Sequence, residues 1–314
     1  MKYRHLGNSG LKVSTVSLGS WLTYGGYVAN DHAVQTMLKA YDLGINFFDT
    51  ANVYMRGEAE RVVGKAIKAF PRESIVLSTK VYFPMGDGPN DRGLSRKHIM
   101  EQAHASLKRL DVDYIDLYYC HRFDTETPIE ETLRAFDDLI RQGKVNYIGV
   151  SEWSAAQMIE ASHIADAKLL HHFIANQSQY SMLYRQIEDD VIPASAAHGI
   201  SQVCWSPLAQ GVLTGKYTSA VDVPENSRAA AGKGAVQRFL TSQNLQIVER
   251  LKRIATEAGM SMAQLALAWI LRQNNVASVV VGASRPDQIV DNAKAADITL
   301  DSDVLQAVED VLSV

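Results

Sequence analysis

The stretch that decides the fold is INFFDTANVYMRGEAE, residues 45–60. Its first four residues are mostly apolar and favour a buried strand, which ends on the carboxylate of Asp49. A helical pattern follows, with Glu58 and Glu60 in its first turn, where acidic side chains suit the positive end of the helix dipole. We therefore assign these glutamates no chemistry. A strand that leads directly into a helix is the unit of parallel α/β folds.

The whole chain repeats this order of strand and helix. One amphipathic helix is predicted to start at Asn30 or Asp31 and to stop at Gly44, and another to start behind Pro128 and to stop at Gly143. Eight such units in 314 residues predict a (β/α)8 TIM barrel that forms a single domain, residues 1–314. A Rossmann fold is disfavoured because the stretch LGSWLTYGG lacks the GxGxxG spacing. The predicted strands are residues 16–18, 45–49, 75–80, 114–120, 147–151, 174–179, 202–206 and 278–283.

Two segments fall outside the repeat. Residues 2–6 and 11–14 flank a glycine-rich turn and predict a β-hairpin, which we expect to close the bottom of the barrel. Residues 209–245, after the seventh strand, are too long for an ordinary connection and are rich in small and charged residues. Barrels often bind phosphate at this position, so we expect this long loop to bind a cofactor.

Composition and charge exclude several classes of protein. The chain is 46% hydrophobic and 21% charged, with a net charge of −4, so nucleic acid is not an expected partner. The N-terminal MKYRHLGNSG lacks a secretory signal, and the longest apolar run is too short for membrane insertion. We therefore expect a cytoplasmic protein in which Cys120 and Cys204 are buried, reduced thiols.

Polar residues stand at nearly every predicted strand end, which is where barrels of this kind build their active sites. Asp49 and Lys80 end adjacent strands and should form an ion pair, which could be purely structural. With Tyr54 from the loop and His121 from the fourth strand, the pair would form a cluster around a phenol. We expect Lys80 and His121 to lower the pKa of Tyr54, so that the phenol can donate a proton to a developing alkoxide. His121 alone would more often be a core histidine.

The sequence resembles the aldo-keto reductase family over essentially its whole length. GINFFDTANVYMRGEAERVVG and GLSRKHIMEQAHASLKRLDVDYIDLYYCHRFD are similar to two signature regions, and IVLSTK is similar to the strand that bears the family's lysine. WSPLAQGVLTGKY, NSRA and VVVGASRPDQIVDN are most similar to the branch that contains the potassium-channel β-subunits. The resemblance implies a catalytic tetrad of Asp49, Tyr54, Lys80 and His121. In it, Tyr54 is the general acid, Lys80 paired with Asp49 depresses its pKa, and His121 orients the carbonyl.

The resemblance also implies NADPH as the cofactor. The nicotinamide would stack on Trp205 and bond through Ser151 and Gln177. The pyrophosphate would be held by Ser206, Leu208, Gly211, Lys216 and Arg228, and the adenosine end by Gly282, Ser284, Arg285, Gln288, Asp291 and Asn292.

Two positions depart from the family pattern, and a third departs from the channel branch alone. Glu152 stands where many members carry Asn and the channel branch tends to carry Arg, which puts one contact near the nicotinamide in doubt. Asp291 replaces a common Glu. His121 stands where the channel branch often has Asn, and it favours a competent enzyme over a sensor.

The residues around Ser284 and Asp287 predict a helix N-terminus even without the family. The free N–H groups of such an N-terminus suit a phosphate. An ordinary helix cap is the alternative interpretation.

The sequence thus predicts an NADPH-dependent reductase of aldehydes or ketones that needs no metal. A redox-sensing channel subunit with low turnover is one alternative. A Schiff-base lyase with Lys80 as nucleophile is another, disfavoured because Asp49 should keep the lysine charged. The sequence fixes neither the carbonyl substrate nor whether the chain is a homo-oligomer, since relatives in the channel branch form rings and members of other branches are often monomers.

Overall fold

Ten strands are formed by the residues that the computed structural model describes, which are 1–21, 24–25, 30–225, 227–232 and 235–313. They are β1 Tyr3–His5, β2 Lys12–Ser14, β3 Val16–Gly19, β4 Phe47–Asp49, β5 Val76–Val81, β6 Ile115–Cys120, β7 Val145–Ser151, β8 Phe173–Gln179, β9 Ser201–Trp205 and β10 Val276–Val281. The last eight form a closed parallel barrel in the order β10-β3-β4-β5-β6-β7-β8-β9. The predicted TIM-like barrel is confirmed.

Helices follow the barrel strands and cover the outside of the barrel. The predicted first helix ends just before Gly44, which has a φ of 83°, and the helix behind Pro128 ends just before Gly143, with a φ of 69°. Positive φ values suit glycine and stop a helix. The helices are α1 Asn30–Asp42, α2 Glu58–Ile67, α3 Arg96–Leu110, α4 Ile129–Arg141, α5 Ala155–Lys168, α6 Val191–Ala197, α7 Ser242–Glu257, α8 Met262–Leu271, α9 Pro286–Ala293 and α10 Ser302–Leu312.

Two helices do not belong to the strand-helix repeat, namely α7 and α10, which follows α9. α7 lies between β9 and α8, and it begins inside the long loop predicted at residues 209–245. Of that loop, residues 226, 233 and 234 lie outside the described part of the chain. Within the described ranges, no single helix has the length and hydropathy to cross a membrane; only α7 and α8 together would, and they meet at a 90° bend.

The strand boundaries agree with the predicted ones to within two residues. β4 begins at Phe47 rather than at residue 45, and β10 ends at Val281 rather than at residue 283. Ser206 was predicted inside the seventh barrel strand, but its φ of 52° takes it out of the extended conformation. The apolar pattern marks the centre of a strand better than its ends.

The N-terminal hairpin closes the bottom of the barrel, as predicted. β1 and β2 pair in antiparallel fashion. Leu6, directly after β1, and Val13, within β2, are fully buried in a cluster with residues from inside the barrel, including Ile174 at the start of β8. Gly7 makes this close approach possible: a Cβ there would lie 2.3 Å from the carbonyl oxygen of Ile174. The hairpin therefore covers the N-terminal ends of the strands, at the end opposite to the predicted site.

Arg4 joins this hairpin to the segment between α8 and β10. Its guanidinium donates to the carbonyl oxygens of Leu271, Gln273 and Val276 at 2.7, 3.2 and 2.5 Å. These three carbonyls lie at the end of α8 and the start of β10. The contact joins residues up to 272 positions apart in the sequence.

Both cysteines lie between the barrel and its helices. Cys120 and Cys204 are fully buried and unpaired, as predicted, and burial raises the pKa of each thiol. A buried thiol with a raised pKa is a poor nucleophile. The cysteines therefore belong to the packing of the barrel.

Candidate active site

One cavity of about 1220 Å³ opens at the C-terminal ends of the barrel strands. All of the residues predicted for catalysis and cofactor binding line it except Lys80, which lies directly behind the wall. The predicted residues in the wall are Asp49, Tyr54, His121, Ser151, Gln177, Trp205, Ser206, Leu208, Gly211, Lys216, Arg228, Gly282, Ser284, Arg285, Gln288, Asp291 and Asn292.

Asp49, Lys80 and Tyr54 form a chain of polar contacts at the base of this cavity. The Lys80 Nζ donates to Asp49 Oδ2 at 2.5 Å and to the Tyr54 hydroxyl oxygen at 3.3 Å. It also donates to the carbonyl oxygen of Thr50 at 2.7 Å, so three acceptors surround the three N–H groups of an ammonium. Because Lys80 donates to the hydroxyl oxygen, the hydroxyl proton of Tyr54 is free to point into the cavity.

The buried pair is held in place from both sides. Lys80 is 0% exposed and Asp49 is 3% exposed. Asp49 Oδ1 accepts from the Ser78 hydroxyl at 2.6 Å and from the Gln177 amide at 3.0 Å. Burial lowers the pKa of Lys80, although the adjacent Asp49 opposes this shift. The sequence prediction counted only the opposing effect of Asp49.

An unusual turn places the Tyr54 side chain over the strand ends. Met55 and Arg56, directly after Tyr54, both have left-handed backbone conformations, with φ values of 49° and 52°. Such a conformation costs about 1–2 kcal/mol for each residue that is not glycine. Gly57 has a φ of 91°, and a Cβ there would lie 2.6 Å from the Arg109 side chain. The chain therefore makes a tight, costly turn that the surrounding packing must hold.

Glu60 supplies part of that packing. It lies in the first turn of α2, as predicted, but its fully buried carboxylate also pairs with Arg109 and accepts from the Thr79 hydroxyl. Thr79 precedes Lys80 on β5. Glu60 thus links the helix after Tyr54 to the strand that carries the lysine, and it contacts neither Tyr54 nor the cavity.

The predicted lowering of the Tyr54 pKa is wrong. Burial of the hydroxyl raises the pKa of Tyr54 well above its usual value, and the negative charge of Asp49 raises it further. Among the charges that act on it, Arg122 is the one that lowers the pKa. The prediction counted the positive charge of Lys80 but neither the carboxylate that neutralises it nor the loss of water. Tyr54 is therefore a neutral phenol with its proton in place.

His121 stands at the wall of the cavity with its ring edge-on to two aromatic rings. The ring centres of Tyr54 and Phe83 lie 5.6 and 4.9 Å away. Burial, Lys80 and Arg122 all hold the pKa of His121 well below its usual value, so the ring is neutral. Its Nδ1 atom is buried and has no hydrogen-bond partner among the described residues. A neutral ring with one N–H can donate to an oxygen but adds no charge.

Ser151, Gln177 and Trp205 form the neighbouring wall, where the resemblance places the nicotinamide. The Ser151 hydroxyl donates to the backbone carbonyl of Gln177 at 2.9 Å, and the Gln177 amide nitrogen is engaged by Asp49. Trp205 packs edge-on against Trp21, with ring centres 6.0 Å apart. These contacts fix the three side chains before any ligand is present.

Glu152 fixes the Trp205 ring. The Glu152 Oε1 atom accepts from the indole Nε1 of Trp205 at 2.7 Å and from the backbone N–H of Gln179 at 2.6 Å. Glu152 reaches both donors from a left-handed backbone conformation, with a φ of 59°. The carboxylate of Glu152 therefore orients the Trp205 wall of the cavity.

The loop after β9 contributes cations and tight turns. Lys216 lies beside Gly211, where a Cβ would come within 3.3 Å of the lysine Nζ. Gln210 accepts from Arg228 at 3.2 Å and donates to the Ser206 hydroxyl at 3.3 Å. Gln210 was not predicted, yet it joins two residues that the resemblance assigns to the pyrophosphate. Two cations near a strained glycine turn are suited to an anion.

The end of β10 leads into α9, which begins one residue later than predicted. Arg285 is the N-cap of α9, and Pro286 is its first residue. The Ser284 backbone N–H donates to Gln288 Oε1 at 2.8 Å, so this N–H is not free for a phosphate in the structure. Arg285 is 63% exposed and pairs with Asp287 at 3.3 Å. The predicted residues are together, but two of them are already engaged.

Asp291 of α9 lines the cavity and also contacts the start of α8. Its Oδ2 atom accepts from the Ser261 hydroxyl at 2.8 Å, and its Oδ1 atom accepts from the Gln264 amide at 2.6 Å. Ser261 and Gln264 form the capping box of α8. The shorter Asp at this position is therefore held by a helix terminus.

Several cavity residues were missed by the sequence prediction. Met55, Phe83 and Arg122 line the cavity near Tyr54 and His121, and Trp21 lines it beside Trp205. Trp21 and Phe83 carry no periodic signal, because both lie in loops that follow strands. Arg122 could have been found, since it immediately follows His121 in the sequence.

Comparison with known proteins agrees with this geometry. The model of the aldo/keto reductase family matches residues 15–313. A probable voltage-gated potassium channel subunit beta of Arabidopsis thaliana is 47% identical over 319 residues, covering 99% of this chain and 97% of that protein. Similar proteins are a probable subunit of Oryza sativa subsp. japonica, at 44% identity with the same coverage, and a putative one of Schizosaccharomyces pombe, at 44% identity over 99% of this chain and 93% of that protein. The chain therefore belongs to the aldo/keto reductase family.

Proposed function

We propose that this protein is an NADPH-dependent reductase of aldehydes and ketones, with Tyr54 as the proton donor. The observation that supports this most directly is the buried contact chain from Asp49 through Lys80 to the Tyr54 hydroxyl. It ends at a cavity that is also lined by the Trp205 ring and by the cations Lys216, Arg228 and Arg285. Family membership makes a nicotinamide-dependent oxidoreductase the expected class.

The residues of the cavity fit the dinucleotide. Trp205 offers a ring held by Glu152, and the neutral His121 has a buried nitrogen without a partner. Lys216, Arg228 and Arg285 offer positive charge for phosphates. The remaining cofactor-binding residues are proposed as the resemblance implies, namely Ser151 and Gln177 for the nicotinamide amide, Ser206, Leu208 and Gly211 for the pyrophosphate, and Gly282, Ser284, Gln288, Asp291 and Asn292 for the adenosine end.

The bound cofactor would supply a hydride to the carbonyl carbon. In the proposed mechanism His121 donates a hydrogen bond to the carbonyl oxygen and holds it next to the Tyr54 hydroxyl. As negative charge grows on that oxygen, Tyr54 transfers its proton, and Lys80 stabilises the phenolate that results. The raised pKa of Tyr54 keeps the phenol protonated beforehand. Lys80 thus acts on the transition state, in which the tyrosine loses its proton.

We also propose that residues 1–314 act as one domain, with residues 209–245 as part of its cofactor site. The cations Lys216 and Arg228 in that segment line the cavity. Proteolytic protection of the segment by NADPH would test this assignment. Equal cleavage with and without the cofactor would contradict it.

Replacement of Tyr54 by Phe tests the proposed function. The hydroxyl contacts Lys80 and the cavity, so its loss should lower kcat for a panel of aldehydes by about 100-fold or more. NADPH affinity should stay nearly unchanged, because the ring remains. Turnover is measured by NADPH consumption, and the dissociation constant by fluorescence titration. Near wild-type turnover in Tyr54→Phe would refute the assigned role.

A channel-associated binding protein is the second candidate, because the three relatives named above are described as potassium-channel β-subunits. It would bind NADPH tightly and turn over slowly with every carbonyl tested. Rapid turnover in the aldehyde panel would favour the enzyme.

A Schiff-base lyase is disfavoured by the geometry. Lys80 does not line the cavity, and its Nζ already contacts three oxygens. Borohydride treatment with substrate should therefore leave Lys80 unmodified.

A further inference from the structure

Arg122 is a cation at the inner end of the cavity. It follows His121 at the end of β6, and its side chain lines the cavity together with Tyr54 and Phe83. Its Nη1 atom donates to the carbonyl oxygen of His121 at 2.5 Å and to the Ser151 hydroxyl at 3.4 Å. The guanidinium carbon also lies 5.4 Å from the centre of the Phe83 ring. The guanidinium is therefore oriented by the protein.

Most of its hydrogen-bonding capacity is unused. A guanidinium has five N–H donors, and in the described part of the chain only Nη1 of Arg122 makes hydrogen bonds. No carboxylate among the described residues forms an ion pair with it, and the residues left undescribed include no Asp or Glu. Arg122 is thus a fixed cation with free donors at the cavity wall.

The neighbouring charges do not compensate it. Asp49 and Lys80 neutralise each other, while His121 is uncharged because its pKa is low. Glu152 is the carboxylate at the end of the adjacent strand, but its Oε1 atom is directed to Trp205 and to the backbone of Gln179. An anion beside Arg122 would meet an unpaired guanidinium.

The cofactor's phosphates lie elsewhere in the proposed complex. Arg285 follows β10, whereas Arg122 follows β6, and these two strands are on opposite sides of the eight-stranded barrel. Lys216 and Arg228 follow β9, the neighbour of β10. The Arg122 guanidinium is therefore separate from the cations that would bind the phosphates of the dinucleotide.

We propose that the preferred substrates are aldehydes or ketones that carry a carboxylate, and that Arg122 binds this carboxylate. This inference rests on the proposed reductase function. Guanidinium binds carboxylate through two parallel hydrogen bonds, which fixes orientation as well as affinity. Phe83, Met55 and Trp21 provide apolar surface for the carbon skeleton that joins the two groups. The bound carboxylate would then aim the carbonyl at Tyr54 and His121.

A matched pair of substrates tests this proposal. Benzaldehyde and 4-carboxybenzaldehyde differ only in the carboxylate, and kcat/KM is measured for both with wild type, Arg122→Gln and Arg122→Lys. Glutamine keeps a donor for the His121 carbonyl but removes the charge, and lysine keeps the charge without the planar fork. We expect Arg122→Gln to lose about 10- to 100-fold more for the carboxylated substrate than for benzaldehyde, and Arg122→Lys to lose less. Thermal unfolding of each variant checks the fold.

The ratio of the two kcat/KM values is the decisive quantity. Arg122 also acts on the pKa of Tyr54, and this effect should change both rates equally and cancel in the ratio. An unchanged ratio in Arg122→Gln would overturn the proposal. An equal loss of kcat/KM for both substrates together with weaker NADPH binding would also overturn it, since Arg122 would then bind the cofactor.

Direct binding separates this inference from the proposed function. Calorimetry of the NADP⁺-saturated protein with benzoate and with uncharged benzamide needs no turnover. We expect benzoate to bind more tightly than benzamide to wild type and to lose this advantage in Arg122→Gln. If neither aldehyde is reduced but benzoate binding depends on Arg122, the reductase function fails and the carboxylate site stands. If benzaldehyde is reduced but the protein does not bind benzoate more tightly than benzamide, the reductase function stands and the carboxylate site fails.

Discussion

Replacement of Lys80 by Met should damage stability and catalysis for two different reasons. Methionine fills a similar volume but removes the ammonium that contacts Asp49, Thr50 and Tyr54. Asp49 would then be a carboxylate that is 3% exposed and has lost its counter-ion. Tyr54 would lose the cation that stabilises its phenolate when the proton leaves.

The structure sets the size of the stability effect. Removing one partner of a buried ion pair costs about 3–5 kcal/mol. Asp49 keeps hydrogen bonds from Ser78 and Gln177, and such charge-assisted bonds retain part of its solvation. We therefore expect a loss near the lower end, about 3 kcal/mol in the free energy of unfolding. The kcat for aldehydes should fall by about 100-fold or more.

A double variant separates the two effects. Adding Asp49→Asn to Lys80→Met removes the orphaned charge while keeping an oxygen that accepts from Ser78. Denaturant unfolding should then show recovery of about 1–2 kcal/mol relative to Lys80→Met, because no buried charge remains unpaired. Aldehyde turnover should stay low in the double variant. If Lys80→Met keeps both full turnover and wild-type stability, the contact chain has neither of the assigned roles.

Three further outcomes are expected. Because the pKa of Tyr54 is raised and that of His121 is lowered, both groups keep their active protonation states between about pH 6.5 and 10, so neither should make kcat for reduction depend on pH there. An alkaline fall of kcat in this range should come from Lys80, whose pKa burial lowers, and should therefore be absent in Lys80→Met. A change on the acidic side with an apparent pKa near 6.5 would show that His121 titrates near its ordinary value. Arg285→Ala should raise the dissociation constant for NADPH and leave that for NADH nearly unchanged, because only NADPH carries the 2′-phosphate that Arg285 would bind. The effect should be only about tenfold, because Arg285 is exposed and already pairs with Asp287. Equal losses would place Arg285 on the part that both cofactors share. Glu152→Ala should weaken NADPH binding by about 5- to 10-fold and alter tryptophan fluorescence, whereas Glu152→Gln, which keeps the acceptor oxygen, should bind nearly as wild type. The same affinity in both variants would mean that the indole contact does not prepare the site.

The barrel could be predicted because short stretches of sequence determine its strands and helices. Each strand is a short apolar run, and a residue such as Gly44 marks where a helix stops. The strand ends then follow from topology, since parallel strands deliver their last residues to one rim. This is why Asp49, His121 and Ser151 could be placed at one cavity without coordinates.

The electrostatics could not be predicted in the same way. The pKa of Tyr54 depends on how completely its hydroxyl is buried and on the distance to Asp49, and neither is encoded in spacing. The contact between Glu152 and Trp205 joins two strand ends through a left-handed residue, which no periodic pattern signals. Arg122, by contrast, could have been found from its place directly after His121.

Arg4 joins a segment that is synthesised early to one that is synthesised late. The ribosome releases the hairpin and β3 first, yet their partners at the end of α8 and in β10 are among the last residues to emerge, 272 positions later in the case of Arg4 and Val276. Until then one edge of β3 has no native neighbour, and the Arg4 guanidinium lacks its carbonyl acceptors. Unpaired strand edges invite pairing with other chains. The growing polypeptide is therefore most exposed to misassembly just before its last strand appears, and a chain truncated before β10 cannot close the barrel.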